Sequence, residues 1–362
     1  MTSLADTASV GLGRNNAQAP LLPAVRIWLV IIATFVLAMV VVGGATRLTG
    51  SGLSITEWKP IVGALPPMSE AAWQDAFEKY KQIPQYDIVN KGMNLEGFKA
   101  IFYWEWSHRL LGRLVGFVFL LPFAYFLWRG AIPRAFIPKV FTLFLLGGAQ
   151  GALGWFMVSS GLVGSDRIAV SQYRLAAHLA LATVIAAYAF WLALTIREEG
   201  QDRKAAPAAP SSSAGVASIV LGGLIYLQII AGAFVAGLKG GYSSNTWPLM
   251  NGEIIPSGMA YYSPLWMNLF ENPLTAQFVH RLIAYSIAIY AVAFALAVWR
   301  RPTLRAPAVA IIVATLVQIA LGVATVVYDM PLSYALIHQG NAMLVLAASL
   351  WAIQRAVAPQ GE

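Results

Sequence analysis

Long apolar runs separated by short charged segments dominate the pattern of this chain. An α-helix needs about 20 mostly apolar residues to cross a bilayer, and eight runs approach or exceed that length. The predicted spans are 27–44, 107–128, the run between Lys139 and Asp166, the run between Arg174 and Arg197, 216–238, 276–299, 306–328 and 334–356. This pattern predicts an all-α integral membrane protein with eight transmembrane helices.

One segment outside the predicted spans also has helical periodicity. In residues 69–80, Trp73, Phe77 and Tyr80 recur at a spacing that places them on one helical face. The segment is therefore predicted to form a short amphipathic helix. Two placements are open for it: on the membrane surface or over the end of the bundle, or packed as a helix within the long loop.

The composition agrees with a bilayer environment. The chain is 58% hydrophobic and 11% charged, whereas soluble domains carry about 25% charged residues. The net charge of +8 comes from Lys and Arg in the loops, so it indicates orientation and no nucleic-acid partner. The chain has no cysteine, which excludes thiolate metal sites, iron–sulfur clusters and disulfides.

Basic residues are divided unevenly between the two sides of the predicted bundle. The loops after spans 2, 4 and 6 carry most of them, and the short loop between spans 3 and 4 has only Arg167 and Arg174. Short basic loops stay in the cytoplasm. The expected topology is a multi-pass protein of the cell inner membrane with both termini cytoplasmic.

The second half of the chain repeats features of the first. The matching features are His-Arg-Leu at 108–110 and 280–282, Gln150 with Gly154 and Gln318 with Gly322, and Glu57-Trp58 with Thr246-Trp247. Because each half has four spans, the halves have the same orientation, and they are predicted to be two tandem pseudo-symmetric four-helix bundles. The predicted divisions are a cytoplasmic tail (1–25), an N-terminal half (26–197) with a long outer loop (45–106), a cytoplasmic linker (198–215) and a C-terminal half (216–356).

All four histidines open even-numbered spans, which start on the outer side. His108 and His178 belong to the first half, and His280 and His338 to the second. A single histidine at a helix end is most often an interfacial group. Four on alternate spans indicate cofactor sites between facing helices, and two imidazoles suit the axial positions of a haem iron. Zinc or copper sites would more often add carboxylate or thiolate ligands.

Several arginines are predicted near the histidines. Guanidinium groups pair well with carboxylates, so Arg47, Arg109, Arg113 and Arg281 are candidate contacts for haem propionates. The alternative is that these arginines are ordinary interface anchors. That alternative is favoured for Arg174, and it is weaker for Arg113, which lies deeper in its span.

Four motifs in the first half of the chain resemble those of the haem A synthase family, in the branch shared by alphaproteobacteria and mitochondria. The motifs are Gly43-Gly44-Ala45-Thr46-Arg47-Leu48-Thr49, Ser51-Gly52-Leu53-Ser54, Glu57-Trp58-Lys59-Pro60 and Glu105-Trp106-Ser107-His108-Arg109. The resemblance covers nearly the whole chain, from span 1 to span 8. Another branch of the family carries a cysteine pair in the first outer loop, and no thiol step is open to this chain.

The resemblance implies the conversion of haem O to haem A by oxidation of the C8 methyl group to a formyl group. It implies that His280 and His338 ligate a resident haem b, and that His108 and His178 bind the substrate haem. The family's outer-loop glutamate falls on Glu57, which is the implied catalytic residue. The repeat supports this division independently, because the position that matches Glu57 in the second half is Thr246.

Glu57 also has a plain alternative role as a solvated loop carboxylate. Two other functions compete with haem A synthesis. A di-haem b-type cytochrome predicts the same histidines with no role for Glu57, and a transporter with parallel repeats predicts buried acidic residues, which the predicted spans lack. The implied partners are haem O as substrate, a haem O synthase, an electron acceptor and membrane lipid. Small-residue helix faces allow association with a second copy.

Overall fold

The structure is a computed structural model that describes residues 21–59, 61–162, 167–196 and 213–357. Within these ranges the chain is helical, and eight helices are long and apolar enough to cross a membrane. These are α1 (Leu22–Leu48), α4 (Leu95–Trp128), α5 (Ile137–Val158), α6 (Gln172–Thr195), α7 (Ser213–Gly237), α9 (Pro273–Val298), α10 (Pro302–Val327) and α11 (Leu332–Val357). The all-α fold with eight spans is confirmed, and the protein is a multi-pass membrane protein.

The loops contain three shorter helices. They are α2 (Glu70–Tyr80), α3 (Pro84–Ile88) and α8 (Asn268–Glu271). The Ser69 hydroxyl caps α2 by accepting a hydrogen bond from the Ala72 N–H at 3.2 Å. The predicted amphipathic helix is therefore confirmed, and it begins directly after its cap.

The second span is longer than the sequence predicted. Its predicted start at residue 107 is wrong, because α4 already begins at Leu95 with an Asn94 side-chain cap. The predicted outer loop 45–106 is correspondingly shorter. The charged residues Glu96, Lys99 and Glu105 interrupt the apolar run, but this part of α4 packs against loop helices and needs no lipid-compatible surface.

The aromatic face of α2 packs against the extension of α4. Phe98 is fully buried, with ring centroids 5.0 Å from Phe77 and 5.3 Å from Tyr80, and Trp73 lies 4.9 Å from Phe102. The aromatic face of this helix is therefore packed within the protein, and its position relative to the membrane surface stays a prediction. The loop and the first turns of α4 thus form a small separate core on one end of the bundle.

The two halves use the same set of helix contacts. In the first half α1 packs against α4 and α6, and α5 packs against α6. In the second half α7 packs against α9 and α11, and α10 packs against α11. The halves meet through α1 with α11 and α6 with α7. A tandem pseudo-symmetric relation between the halves stays a prediction that these shared contacts favour.

Each half has its own buried core in the part of the bundle away from the histidines. In the first half the indole of Trp28 packs among Phe119, Phe123 and Phe126 and donates a hydrogen bond to the Val118 carbonyl at 2.9 Å. In the second half Phe294 and Leu304 belong to a separate cluster. These cores fix the helices, and the histidines lie beyond them. The predicted tail (1–25) and linker (198–215) lie largely outside the described residues, and their roles stay predictions.

Candidate functional site

The four histidines are placed on four helices at the same end of the bundle. His178, His280 and His338 lie within about two turns of the first residue of α6, α9 and α11. The sequence predicted that His108 opens its helix. This prediction is wrong, because α4 begins before His108 and includes 13 residues on its outer-loop side, from Leu95 to Ser107. We call this end of the bundle, where loops 49–94 and 238–272 connect the helices, the histidine face.

The histidines come together in the predicted pairs. The ring centroids of His280 and His338 are 6.5 Å apart, with an angle of 68° between the ring planes. His108 and His178 lie close enough to interact electrostatically. In the described parts of the chain, no three His, Asp or Glu side chains form a group that could hold a metal ion. The candidate ligand sets are therefore two pairs of imidazoles, one pair in each half.

The separation of His280 and His338 suits one metal ion between two axial rings. A metal-bound imidazole nitrogen lies about 2 Å from the ion, so the centres of two opposed rings lie about 6 Å apart. The His338 Nδ1–H donates to the Gln318 carbonyl at 3.1 Å, so the lone pair is on Nε2, and the side-chain amide nitrogen of Gln318 lies 3.3 Å from it. The His280 Nδ1 is buried without a hydrogen-bond partner among the described residues. These two side chains fit a haem iron.

Each imidazole packs on a glycine of a neighbouring helix. A Cβ added at Gly322 would lie 2.9 Å from Cε1 of His338, closer than real Cβ atoms approach other heavy atoms. Corresponding distances at the other three glycines are 3.0–3.1 Å. The four pairs are Gly43 with His108, Gly154 with His178, Gly232 with His280 and Gly322 with His338. A side chain at Gly322 would force His338 to move, and one at the other three glycines would shift the facing ring by a few tenths of an ångström.

Three histidines also have a glutamine amide beside the ring. The Nε2 atom of Gln150 lies 3.2 Å from Nδ1 of His178, and those of Gln228 and Gln318 lie 3.3 Å from Nε2 of His280 and His338. The sequence showed Gln150 and Gln318 as a repeat but gave them no role. Spacing relative to the glycines was the signal that could have found them.

Two arginines hold the loops that precede the histidines. Arg109 donates from Nη1 to the Glu57 carbonyl at 3.1 Å, and Arg281 donates from Nη1 to the Thr246 carbonyl at 2.9 Å. The positions that the repeat matched, Glu57 and Thr246, therefore have the same backbone contact in each half. Arg109 also pairs with Glu105, with an Nη2–Oε1 distance of 2.6 Å. Most N–H donors of Arg109 are thus used in hydrogen bonds within the protein. A propionate contact from Arg109 or Arg281 stays a prediction.

The other two candidate arginines contact backbone as well. Arg47 donates from Nη2 to the carbonyls of Ala236 and Gly237 at 2.9 and 3.3 Å, which joins the end of α1 to the end of α7. The Nε of Arg47 is buried without a partner among the described residues. Arg113 donates to the Lys59 carbonyl at 3.1 Å. Both arginines lie at the histidine face, and their propionate contacts stay predictions.

Glu57 lies in the outer loop with a carboxylate held between two lysines. Its Oε2 is 3.0 Å from Nζ of both Lys59 and Lys79, and 41% of the side chain is exposed. The hydrogen bonds from Lys59 and Lys79 lower the pKa of Glu57 below its ordinary value of 4.5. The carboxylate is therefore ionised at neutral pH.

A second acid near the N-terminal pair was missed as a site residue. Glu105 is 3% exposed and accepts hydrogen bonds from the Ser54 hydroxyl and the Ile55 N–H, both at 2.8 Å. It also pairs with Arg109, so it connects the loop before Glu57 to the helix that carries His108. The i, i+4 spacing of Glu105 and Arg109 was the available signal.

The sequence model of the COX15-CtaA family, described as a cytochrome oxidase assembly protein, matches residues 26–350. This range covers most of the chain and includes every candidate site residue. The chain belongs to this family. The resemblance stated from its sequence motifs is thereby confirmed.

Individual members of the COX15-CtaA family are similar to the chain over nearly its whole length. A protein of Azorhizobium caulinodans named Heme A synthase is 52% identical over 90% of this chain and 92% of its own length. Proteins of the same name from Parvibaculum lavamentivorans and Rhodospirillum centenum are 49% and 45% identical over 92% and 98% of this chain. The matches include 94% and 93% of the lengths of these two proteins.

Proposed function

We propose that this protein is a haem A synthase, which oxidises the C8 methyl group of haem O to a formyl group. The relatives that match nearly the full chain carry that name, and this observation carries the proposal. The two imidazole pairs at the histidine face provide the ligand sets that the substrate and a resident haem require. Haem O comes from a haem O synthase, and an electron acceptor takes the electrons.

The two pairs have different tasks in this proposal. His280 and His338 hold a resident haem b, which supplies one-electron redox chemistry when bound. His108 and His178 bind the substrate haem. The supporting observation is a difference between the two matched loop positions. Arg109 donates to the backbone carbonyl of Glu57, whereas Arg281 donates to that of Thr246. Only the N-terminal half thus has a carboxylate at this position.

Glu57 acts near the substrate methyl group as an electrostatic stabiliser of electron-poor carbon. A general base works best when its pKa is near the operating pH. The lysine contacts keep the pKa of Glu57 below 4.5, so an ionised group that interacts with developing positive charge suits it better. Two successive two-electron oxidations take the methyl group to the alcohol and then to the hydrated aldehyde.

The proposed topology places the histidine face on the outer side of the inner membrane. Arg129, Arg134 and Lys139 lie near the ends of α4 and α5 away from the histidines, and Arg300, Arg301 and Arg305 lie near those of α9 and α10. A cytoplasmic position for this basic side follows from the positive-inside rule. Both termini are then cytoplasmic, and haem O reaches its pair from the membrane.

The function is tested with Glu57→Gln, and Glu78→Gln is the matched control. Glu78 is a more exposed outer-loop acid that pairs with Lys81 at 2.7 Å. We expect Glu57→Gln to keep both haems while the extracted pigment stops at haem O or the alcohol. The control should give the wild-type pigments. Normal haem A from Glu57→Gln would contradict the role of this residue.

A di-haem b-type cytochrome remains the competing function, because both halves contain the same ligands and loop contacts. Pigments extracted from the wild type separate the two functions. An electron carrier contains haem b alone, and a synthase also contains haem O, its alcohol or haem A. In the same experiment His280→Ala should lose haem b, and His108→Ala should lose the substrate pigments.

A further inference from the structure

The helices that face the histidines share a spacing with one exception. In α5, α7 and α10 a glutamine precedes, by about one turn, the glycine on which the imidazole packs. The three pairs are Gln150 with Gly154, Gln228 with Gly232 and Gln318 with Gly322. In α1 the glycine is Gly43, and the position one turn before it is Met39.

The glutamines restrain the histidines that they face. Gln150 and Gln228 donate to the backbone carbonyls of His178 and His280 at 3.1 and 3.0 Å, and each amide also lies beside the ring of the same residue. The backbone of Gln318 accepts from Nδ1 of His338. Hydrogen bonds to a ligating histidine fix its ring and strengthen its bond to the metal.

Two of these amides also have unused acceptors. The Oε1 atoms of Gln150 and Gln228 are buried without a partner in the part of the chain that the structure describes. The Nδ1 of His280 is likewise buried without a hydrogen-bond partner among the described residues. The amide nitrogen of Gln228 lies 3.3 Å from Nε2 of His280, so an iron bound at Nε2 displaces it. The ring then carries a proton on Nδ1, which the displaced amide can accept through its oxygen. These glutamines can thus support the imidazoles in the metal-bound form.

His108 has no such support. No hydrogen bond to its ring is present among the described residues, and the Met39 side chain extends toward Gly112. A Cβ at Gly112 would lie 3.5 Å from the Met39 Cε. A thioether donates no hydrogen bond and accepts only weakly, so it cannot orient the ring as an amide does.

We propose that Met39, in place of a glutamine, makes His108 the exchangeable iron ligand, so that substrate haem binds and product haem leaves by making and breaking the bond to His108. This inference rests on the proposed function. A synthase must release its product from one pair and retain the haem in the other. Among the residues that the structure describes, His108 is the imidazole with no hydrogen bond to its ring, and it belongs to the pair assigned to the substrate.

The test measures how fast haem moves from the purified full-length protein to an excess of a soluble apo-globin. Met39→Gln is compared with Met39→Leu, which has a similar size and no amide. We expect the haem of the N-terminal pair to leave about tenfold more slowly from Met39→Gln, and at the wild-type rate from Met39→Leu. The reciprocal variant Gln228→Met should make the C-terminal haem leave about tenfold faster.

The two haems are assigned through His108→Ala and His280→Ala, each of which should remove one phase of the transfer. Equal transfer rates for wild type, Met39→Gln and Gln228→Met, with both phases assigned, would overturn the role of residue 39 and leave the proposed function intact. A phase that survives both histidine variants would instead contradict the haem assignment itself. If Met39→Gln does not fold, the Gln228→Met rate decides alone. Electron paramagnetic resonance of the ferric protein checks that two imidazoles still ligate each iron.

Discussion

At the scale of single residues, the site depends on glycines that lack a side chain as well as on the histidines. Each imidazole occupies space that a methyl group on the facing helix would fill. Other glycines of the same helices, such as Gly151 and Gly223, have nothing within 4 Å of an added Cβ. Only the structure separates the glycines that make room for a ligand from those that face open space.

This difference gives a prediction with internal controls. Gly154→Ala should displace His178 and lower the haem content of the N-terminal pair, because the new Cβ would meet the ring at 3.0 Å. Gly232→Ala should do the same for His280 and the C-terminal pair, at 3.1 Å. Haem content is measured by absorbance against protein concentration.

Gly151→Ala and Gly223→Ala are the controls on the same helices, and both should retain wild-type haem. Equal haem content in all four variants would show that the facing glycines do not determine the positions of the imidazoles. Loss of haem in the controls would point to general destabilisation of α5 and α7 instead.

The state of Glu57 gives a second prediction at this scale. Its pKa is lowered first by the hydrogen bond from Lys59 and then by that from Lys79. A lowered carboxyl pKa means that the lysine contacts stabilise the fold above pH 4.5, and that this contribution is lost as the pH falls below that value. Lys59→Met should therefore raise the pKa of Glu57 toward its ordinary value.

The measurement is an infrared titration of the carboxylate band, taken as the difference between each protein and its Glu57→Gln variant. Lys79→Met should also shift the midpoint upward, because the Nζ of Lys79 is likewise 3.0 Å from the Glu57 Oε2. Lys81→Met serves as the control, because Lys81 pairs with Glu78. An unchanged midpoint in Lys59→Met would mean that Glu57 has left the two lysines in the membrane-bound protein.

At the scale of helices, α4 joins the outer loop to the haem-binding bundle. Its first turns carry the aromatic residues that bind α2, its middle carries Glu105, His108 and Arg109, and its last turns pack on Trp28. The sequence predicted only the apolar part of α4, since a predicted span ends where charged residues lower the hydropathy. Glu105 lies inside the helix because Arg109 and the loop backbone satisfy its carboxylate, which a count of charges does not reveal.

Removing the contact between α2 and α4 should loosen the outer loop. Phe98 is fully buried against α2, and Phe98→Ala removes a large buried ring at a cost of about 3–5 kcal/mol. We expect faster cleavage by trypsin after Lys79, Lys81 and Lys91. Phe117→Ala, which changes a 60% exposed residue of the same helix, should leave cleavage unchanged. Identical digestion patterns for both variants would contradict a packed loop helix.

At the scale of the whole molecule, hydropathy was sufficient for the number of spans because each span must satisfy the bilayer along its length. The pairing of histidines also followed from the sequence, since one histidine on every second span places them at one end. The glutamine contacts and the contact of Lys79 with Glu57 did not follow, because they join separate elements 20–52 residues apart in the chain. Such contacts depend on helix rotation and loop path, which no local pattern encodes.

The orientation of the molecule is the last prediction, and the absence of natural cysteines makes it directly testable. Single cysteines are placed at exposed positions as Gln82→Cys and Ser257→Cys in loops and Thr303→Cys in the first turn of α10. Gln82 and Ser257 lie in loops at the histidine face, and Thr303 lies at the opposite, basic end of the bundle. In cells with a permeabilised outer membrane, an impermeant thiol reagent should label the first two variants. It should label Thr303→Cys only after the inner membrane is opened. The reverse pattern would place the imidazole pairs at the cytoplasmic side and would require the substrate haem to enter from there.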